Sequence, residues 1–173
     1  MSENSDIIAP QIKTLKNKNQ NPMSSFDIFF IRNLIYNGFK KNNKFYIYIG
    51  IFLNKIIREI DIIIYKILKK NRKKIYMAHG SFLLINKKAI EKLKKLGGFP
   101  IYDNNIFLFG EELDLAIKLK KFSMETTYIN SISVLHKEDG SMKYRSDINE
   151  KLKNSNIYIY EKYYSSFIGK KGN

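Results

Sequence analysis

Between Ile49 and Ile67 apolar residues return every third or fourth position: Ile49, Phe52, Leu53, Ile56, Ile57, Ile60, Ile63, Ile64 and Ile67. That spacing predicts an amphipathic helix of about 20 residues and roughly 30 Å. Its other face carries Asn54, Lys55, Arg58, Asp61 and Lys69. Nearer the start, Ile7-Ile8-Ala9-Pro10 predicts a strand end, and residues 17–25, rich in Asn, Ser and Pro, predict a loop. Ser81-Phe82-Leu83-Leu84-Ile85 suits a short buried strand. A helix follows, with Ala89, Ile90, Leu93 and Leu96 on one face and Lys88, Lys92 and Lys95 on the other, stopped by Gly97-Gly98. Gly110 precedes another helix with Leu113, Ala116 and Ile117 inward. Thr126 to His136 is rich in β-branched residues and predicts a strand, and Ile148 to Phe167 predicts a final helix. No internal repeat is present, and the order of strands and helices argues an α/β fold.

Composition narrows the class. The chain has 173 residues, 44% hydrophobic and 14% aromatic, enough to bury a core, which excludes general disorder. Lys and Arg total 31 against 16 Asp and Glu, a net +15 that favours anionic partners: nucleic acid, anionic lipid or phosphorylated substrates. Yet Lys outnumbers Arg 27 to 4, and Ile (28) and Asn (18) are inflated throughout, as biased codon usage would produce. Specific nucleic-acid readers lean on the bidentate Arg fork, so net charge alone names no partner. The absence of Cys removes disulfides, thiolate zinc sites and cysteine nucleophiles, and fits a reducing compartment. No uncharged apolar run approaches the ~20 residues of a spanning helix, and the polar, acidic start lacks the pattern of a signal peptide. A cytoplasmic location is the resulting expectation.

One stretch runs against this background. From Leu96 through Ile117 there is no Lys or Arg, while Asp103, Glu111, Glu112 and Asp114 all fall there. Two readings stand. Carboxylates in a helix's first turn are favoured by the N-terminal N–H groups and macrodipole, by ~0.3–1 kcal/mol each. Alternatively, carboxylates crowded in an apolar frame (Phe107, Leu108, Phe109) raise one another's pKa and supply a general base or cation site. Glu111 and Glu112 point ~100° apart on a helix, so they would not do the same job. His136 ends the predicted strand, followed by Asp139-Gly140-Ser141. A strand-terminal His is either structural or placed where an α/β protein puts a ligand contact. His79, beside Gly80, is read as structural or as an exposed turn.

The order of four segments is similar to the C-terminal half of bacterial family 2 glycosyltransferases, closest to the rhamnosyltransferase-like subset that builds capsule, O-antigen and cell-wall glycans. The segments are Gly80-Ser81-Phe82-Leu83-Leu84-Ile85, Leu96-Gly97-Gly98-Phe99, Phe107 through Leu115, and Val134-Leu135-His136. Ile8-Ala9-Pro10-Gln11-Ile12 also resembles the strand after the family's donor site, so the likeness covers most of residues 7–142. It implies an incomplete GT-A fold: a Rossmann-like α/β domain with a mixed sheet and flanking helices. Glu112 matches the family's catalytic base and Glu111 the acid before it. Asp114 matches an acid that holds the acceptor site, with Gly80 and Ser81 where the acceptor enters. His136 matches the histidine that helps bind a divalent metal, Mg or Mn, on the donor diphosphate. The implied partners are a nucleotide-diphosphate sugar donor and a polysaccharide or lipid-linked glycan acceptor, with inverting chemistry.

Two departures from the family pattern matter. Pro100-Ile101-Tyr102-Asp103 stands where the family usually has Asp-Glu, and no Asp-x-Asp occurs anywhere. The donor-binding half, on the order of 100 residues, is therefore expected to be absent, leaving residues 1–173 as one partial domain, inactive without that half. Within it, residues 40–74 are expected to be a basic amphipathic helical insertion, with 11 Lys/Arg against Glu59 and Asp61, and residues 148–173 a helical tail. The insertion packs its Ile face on the core, or lies on an anionic leaflet at the inner face of the cell membrane. The alternative from another class is a basic nucleic-acid- or anionic-membrane-binding protein without catalysis; no helix-turn-helix, zinc-finger or RNP pattern supports specific nucleic-acid recognition.

Overall fold

The computed structural model describes residues 5–106, 109–137 and 147–168, the last four by backbone alone. Among them four strands make one open, mixed sheet in the order β2-β4-β1-β3. Strand β1 (Ile7–Thr14) lies parallel to β4 (Thr126–His136), while β2 (Arg72–Ile75) and β3 (Leu84–Ile85) add antiparallel edges. Five helices flank it: α1 (Phe29–Lys40), α2 (Lys44–Ile67), α3 (Lys87–Lys95), α4 (Glu111–Lys121) and α5 (Ile148–Ile168). The α/β class and the mixed sheet are thus present.

The strand β1 is buried on both faces at its start, where Ile7, Ala9 and Ile12 are fully enclosed. Ile7 joins Ala89, Leu93, Leu115, Leu119 and Met124 in one core cluster. Ala9 joins Tyr65, Ile75, Ala78 and Tyr128 in a second. The β1–β4 register slips between Pro10 and Gln11, where a proline can give no ladder hydrogen bond. Beyond the slip the two strands end together, with Thr14 opposite His136.

Four expectations need correction. First, β1 runs to Thr14 and is a central strand, not merely a strand end at Pro10. Second, residues 81–85 yield only a two-residue edge strand with Leu84 42% exposed, because β3 pairs with nothing beyond Ile7 and Ile8. Third, residues 40–74 are not simply a helical insertion: α2 ends at Ile67 and β2 pairs along β4, so the segment belongs to the sheet. Fourth, of the two placements open to the Ile face of α2, packing on the core is not the one found. The side facing the body carries Gly50, Asn54, Asp61 and Tyr65, whereas Phe52, Ile60, Ile63 and Ile67 face outward.

Asn54 and Asp61, on the inner side of α2, are each held by partners outside the helix. Asn54 donates to the Met23 carbonyl (3.1 Å) and accepts from the Ser24 hydroxyl (3.0 Å). Asp61 pairs with Lys73 of β2, whose burial lowers the lysine's pKa. Buried polar groups demand such partners, and here they decide which face turns in. Helices α1 and α2 also approach closely: a Cβ added at Gly50 would meet Ile35 Cγ1 at 2.5 Å, and one at Gly38 would meet Ile47 Cγ1 at 2.6 Å. No helix among the described residues is long and apolar enough to cross a membrane.

Candidate active site

The carboxyl ends of parallel strands are where α/β folds gather ligand-binding loops. Here β1 and β4 end at Thr14 and His136, and a cavity of about 780 Å³ opens beside His136. Its polar wall is formed by Gln20, Arg32, Asn54, His79, Glu112 and His136; Ile28, Ile31, Ile35, Leu113 and Leu152 line an apolar part.

Glu112 reaches this wall because of the turn before it. Phe109 and Gly110 both adopt positive φ (66° and 105°), swinging the chain into α4. Glycine tolerates that conformation; at Phe109 it is strained, a feature that accumulates at functional sites. A Cβ at Gly110 would also meet Ile159 Cδ1 at 2.6 Å. Helix α4 then starts with Glu111, Glu112 and Asp114 in its first turn and Gly110 as a cap without a side-chain oxygen, so the carboxylates complement the helix's positive end. Glu112 Oε1 accepts from the Gly80 N–H at 3.3 Å, and a Cβ at Gly80 would sit 3.0 Å from the same oxygen.

Glu112 also borders a second cavity of about 610 Å³, lined by Gly80, Tyr102, Asp103, Ile106, Phe109 and Glu111 among others. Burial pushes the Tyr102 hydroxyl's pKa up, and the negative charges of Glu112 and Glu111 add to the effect. The Glu112 carboxylate thus stands between two cavities, one holding the histidines and one holding Glu111 and Tyr102.

His136 Nδ1 lies 2.8 Å from Gln20 Oε1. An amide oxygen only accepts, so Nδ1 is the donor in this contact. The His79 ring packs edge-on against it, with centroids 5.3 Å apart. His79 is itself held in place: its N–H donates to Asn21 Oδ1 (2.7 Å), and its Nδ1 accepts from the Ser81 N–H (3.1 Å). Asn21 is buried and donates to the Pro10 carbonyl (2.8 Å), so the 17–25 loop ties β1 to the histidine turn.

Of the residues singled out from sequence, Glu112 and His136 therefore line one cavity, while Glu111 and Gly80 line the second cavity that Glu112 shares. Ser81 is exposed on the same turn. Asp114 is elsewhere. It is fully buried, its carboxylate held by Lys118 (2.7 Å), Lys162 (3.3 Å) and the Tyr163 hydroxyl (2.6 Å). A carboxylate so enclosed cannot meet an acceptor, which corrects the expected acceptor-binding role of Asp114. Lys118 also donates to the carbonyls of Pro100 and Ile101, so the loop that departs from the family pattern is fastened to α4.

A divalent metal fits the described residues poorly. Mg and Mn ask for several oxygen ligands, and no group of three His, Asp or Glu side chains suited to a metal occurs among the described residues. Phe107, Leu108 and Asp139-Gly140-Ser141 lie outside those residues. Sequence reasoning passed over Arg32, whose Nη1 donates to the hydroxyls of Tyr76 (2.7 Å) and Tyr164 (2.9 Å) and whose other nitrogen pairs with Asp27. Burial holds the Tyr76 pKa up at about 12. The signal was present: in a chain with 27 Lys and 4 Arg, an arginine that replaces the default cation is informative. His79 reads from sequence as structural or as an exposed turn, and only the fold brings its ring to His136.

No family model, characterised protein or solved structure matches the chain, so the site rests on its own geometry.

Proposed function

We propose that the chain is the acceptor-binding, catalytic part of an inverting GT-A-type glycosyltransferase that moves a sugar from a nucleotide-diphosphate donor to a polysaccharide or lipid-linked glycan. The observation that carries this reading is the position of Glu112 between two cavities, in one wall with His136 at the carboxyl ends of β1 and β4. In the proposed step an acceptor hydroxyl approaches Glu112 from the cavity shared with Glu111 and Gly80. Glu112 takes its proton as the oxygen forms a bond to the anomeric carbon. The bond from that carbon to the diphosphate breaks on the opposite face, and the nucleoside diphosphate leaves with the electron pair. His136, oriented by Gln20, belongs to the departing group's side of the cavity. No step is assigned to a metal. Asp114 has no part in the acceptor site on this reading.

The test is sugar transfer by the full chain supplied with a donor-binding module, reading released nucleoside diphosphate. Glu112→Gln keeps size and hydrogen bonding but cannot take a proton, so turnover falls by about 10²–10⁴-fold with the unfolding midpoint unchanged. Turnover within about twofold of the parent's would remove Glu112 from the role of base.

A further inference from the structure

The face of α2 turned away from the body exposes a run of large apolar side chains. Phe45, Tyr48, Phe52, Ile56, Ile60, Ile63 and Ile67 are between 38% and 71% exposed and follow one another at helical spacing. They form a stripe along a helix of about 36 Å. Isolated exposed apolar residues are ordinary; a continuous stripe of this length is the mark of an interaction surface. Lys44, Lys55 and Lys66, eleven residues apart and exposed, run along one flank of the stripe. Lys69, Lys70 and Arg72 follow its C-terminal end. The acids of the helix do not offset them: Glu59 is paired with Arg58, and Asp61 is turned inward onto Lys73.

We propose that this face of α2 lies flat on an anionic lipid surface, with the apolar stripe in the headgroup–acyl boundary and the lysines at lipid phosphates. Charge decides among the occupants. A second copy packed by two-fold symmetry would set the lysine flank against a like-charged surface. A nucleic acid would satisfy the lysines and leave Ile60, Ile63, Ile64 and Ile67 in water. An anionic leaflet satisfies both at once, and the helix lies in its plane without spanning it. The opposite face of the same helix holds the catalytic cavity: Asn54, bonded to Met23 and Ser24, is part of its wall. Docking therefore brings that cavity to within about one helix diameter, ~10 Å, of the lipid. The inference does not depend on sugar transfer, since membrane binding is read without donor or acceptor.

The experiment is co-sedimentation of the full chain with phosphatidylcholine vesicles, with and without phosphatidylglycerol. Binding to the anionic vesicles is expected to exceed binding to the neutral ones by about tenfold or more, each basic residue near the surface contributing about fivefold. Ile63→Glu combined with Ile67→Glu lowers anionic-vesicle binding by about tenfold or more while the circular dichroism and unfolding midpoint stay as in the parent. Ile67→Ser alone, at the most exposed position of the stripe, gives a smaller loss in the same direction. Absence of binding to anionic vesicles would overturn the proposal. So would equal binding to neutral vesicles, undiminished binding by the folded variants, or a dimer that the same substitutions dissociate.

Discussion

Glu112 and Asp114 stand two residues apart in one helical turn and occupy opposite surroundings. Glu112 faces two cavities and takes one long hydrogen bond from Gly80. Asp114 is sealed from solvent, and its network continues through Lys162 to Asp103 (2.5 Å) and from Tyr158 to Asp103 (2.9 Å). One carboxylate is left accessible and the other is consumed in fastening α5 to α4. Sequence proximity in an acidic cluster therefore says little about shared purpose: the ~200° between these two helix positions separates a carboxylate open to the cavities from an anchor.

Removing the anchor should have the largest effect. Asp114→Ala leaves two lysines facing a buried gap and is expected to cost about 3–5 kcal/mol of stability, read as a fall in the denaturant midpoint. A loss no greater than that of an ordinary surface substitution would break the contrast with Glu112. Next comes acid sensitivity. Burial would raise the Asp103 pKa, but hydrogen bonds from Lys162, the Asn105 N–H and Tyr158 outweigh it and hold the carboxyl well below the usual range. A carboxyl depressed in the folded state binds fewer protons than in the unfolded one. Its stabilisation is therefore present above about pH 4 and lost progressively as the pH falls further. Burial opposes the charge on Lys162, yet its partners Asp103, Tyr163 and Asp114 raise its pKa, so its contribution is lost only as the solution becomes strongly alkaline. Asp103→Asn should lower stability at neutral pH and flatten the acid limb of the stability curve; an unchanged acid limb would remove Asp103 from the network.

The smallest effect on folding belongs to the cavity side. Gly80→Ala places a methyl 3.0 Å from Glu112 Oε1, the movable end of a flexible side chain. Stability should change by less than about 1 kcal/mol, while under the proposed function the rate of sugar transfer falls because Glu112 is displaced. Unchanged transfer in a folded Gly80→Ala protein would mean that the position of Glu112 at this turn is immaterial.

The two lysine-rich helices indicate how much of the fold was legible. In α3, Ala89 and Leu93 turn inward and the lysines outward, as the pattern predicts, because no buried polar group competes with the apolar face. In α2 the same reasoning fails. Asn54 and Asp61 find partners in Met23, Ser24 and Lys73, residues whose nearness no periodicity reveals. Strand β2, reading Arg-Lys-Lys-Ile, is hidden in the basic run and becomes a strand only because β4 offers an edge. Strand β4 and helix α5 carry their own local signals and were legible. In α4 the inward face is shifted to Asp114, Leu115, Ala116 and Leu119, which leaves Leu113 to line the cavity. Glu112 and His136 could be named from the order of segments. Arg32, Gln20 and His79 could not, since their place depends on how distant loops close over the strand ends.

The most direct measurement is a nuclear magnetic resonance titration of the nitrogen-labelled full chain with soluble acceptor glycans. Saturable shifts at the Gly80 and Glu112 amides and at the His79 and His136 rings, with Asp114 and Lys162 unmoved, are the predicted outcome. Shifts confined to other surfaces, or centred on the Asp114 network, would contradict the claim that the sugar-accepting site lies between these two cavities.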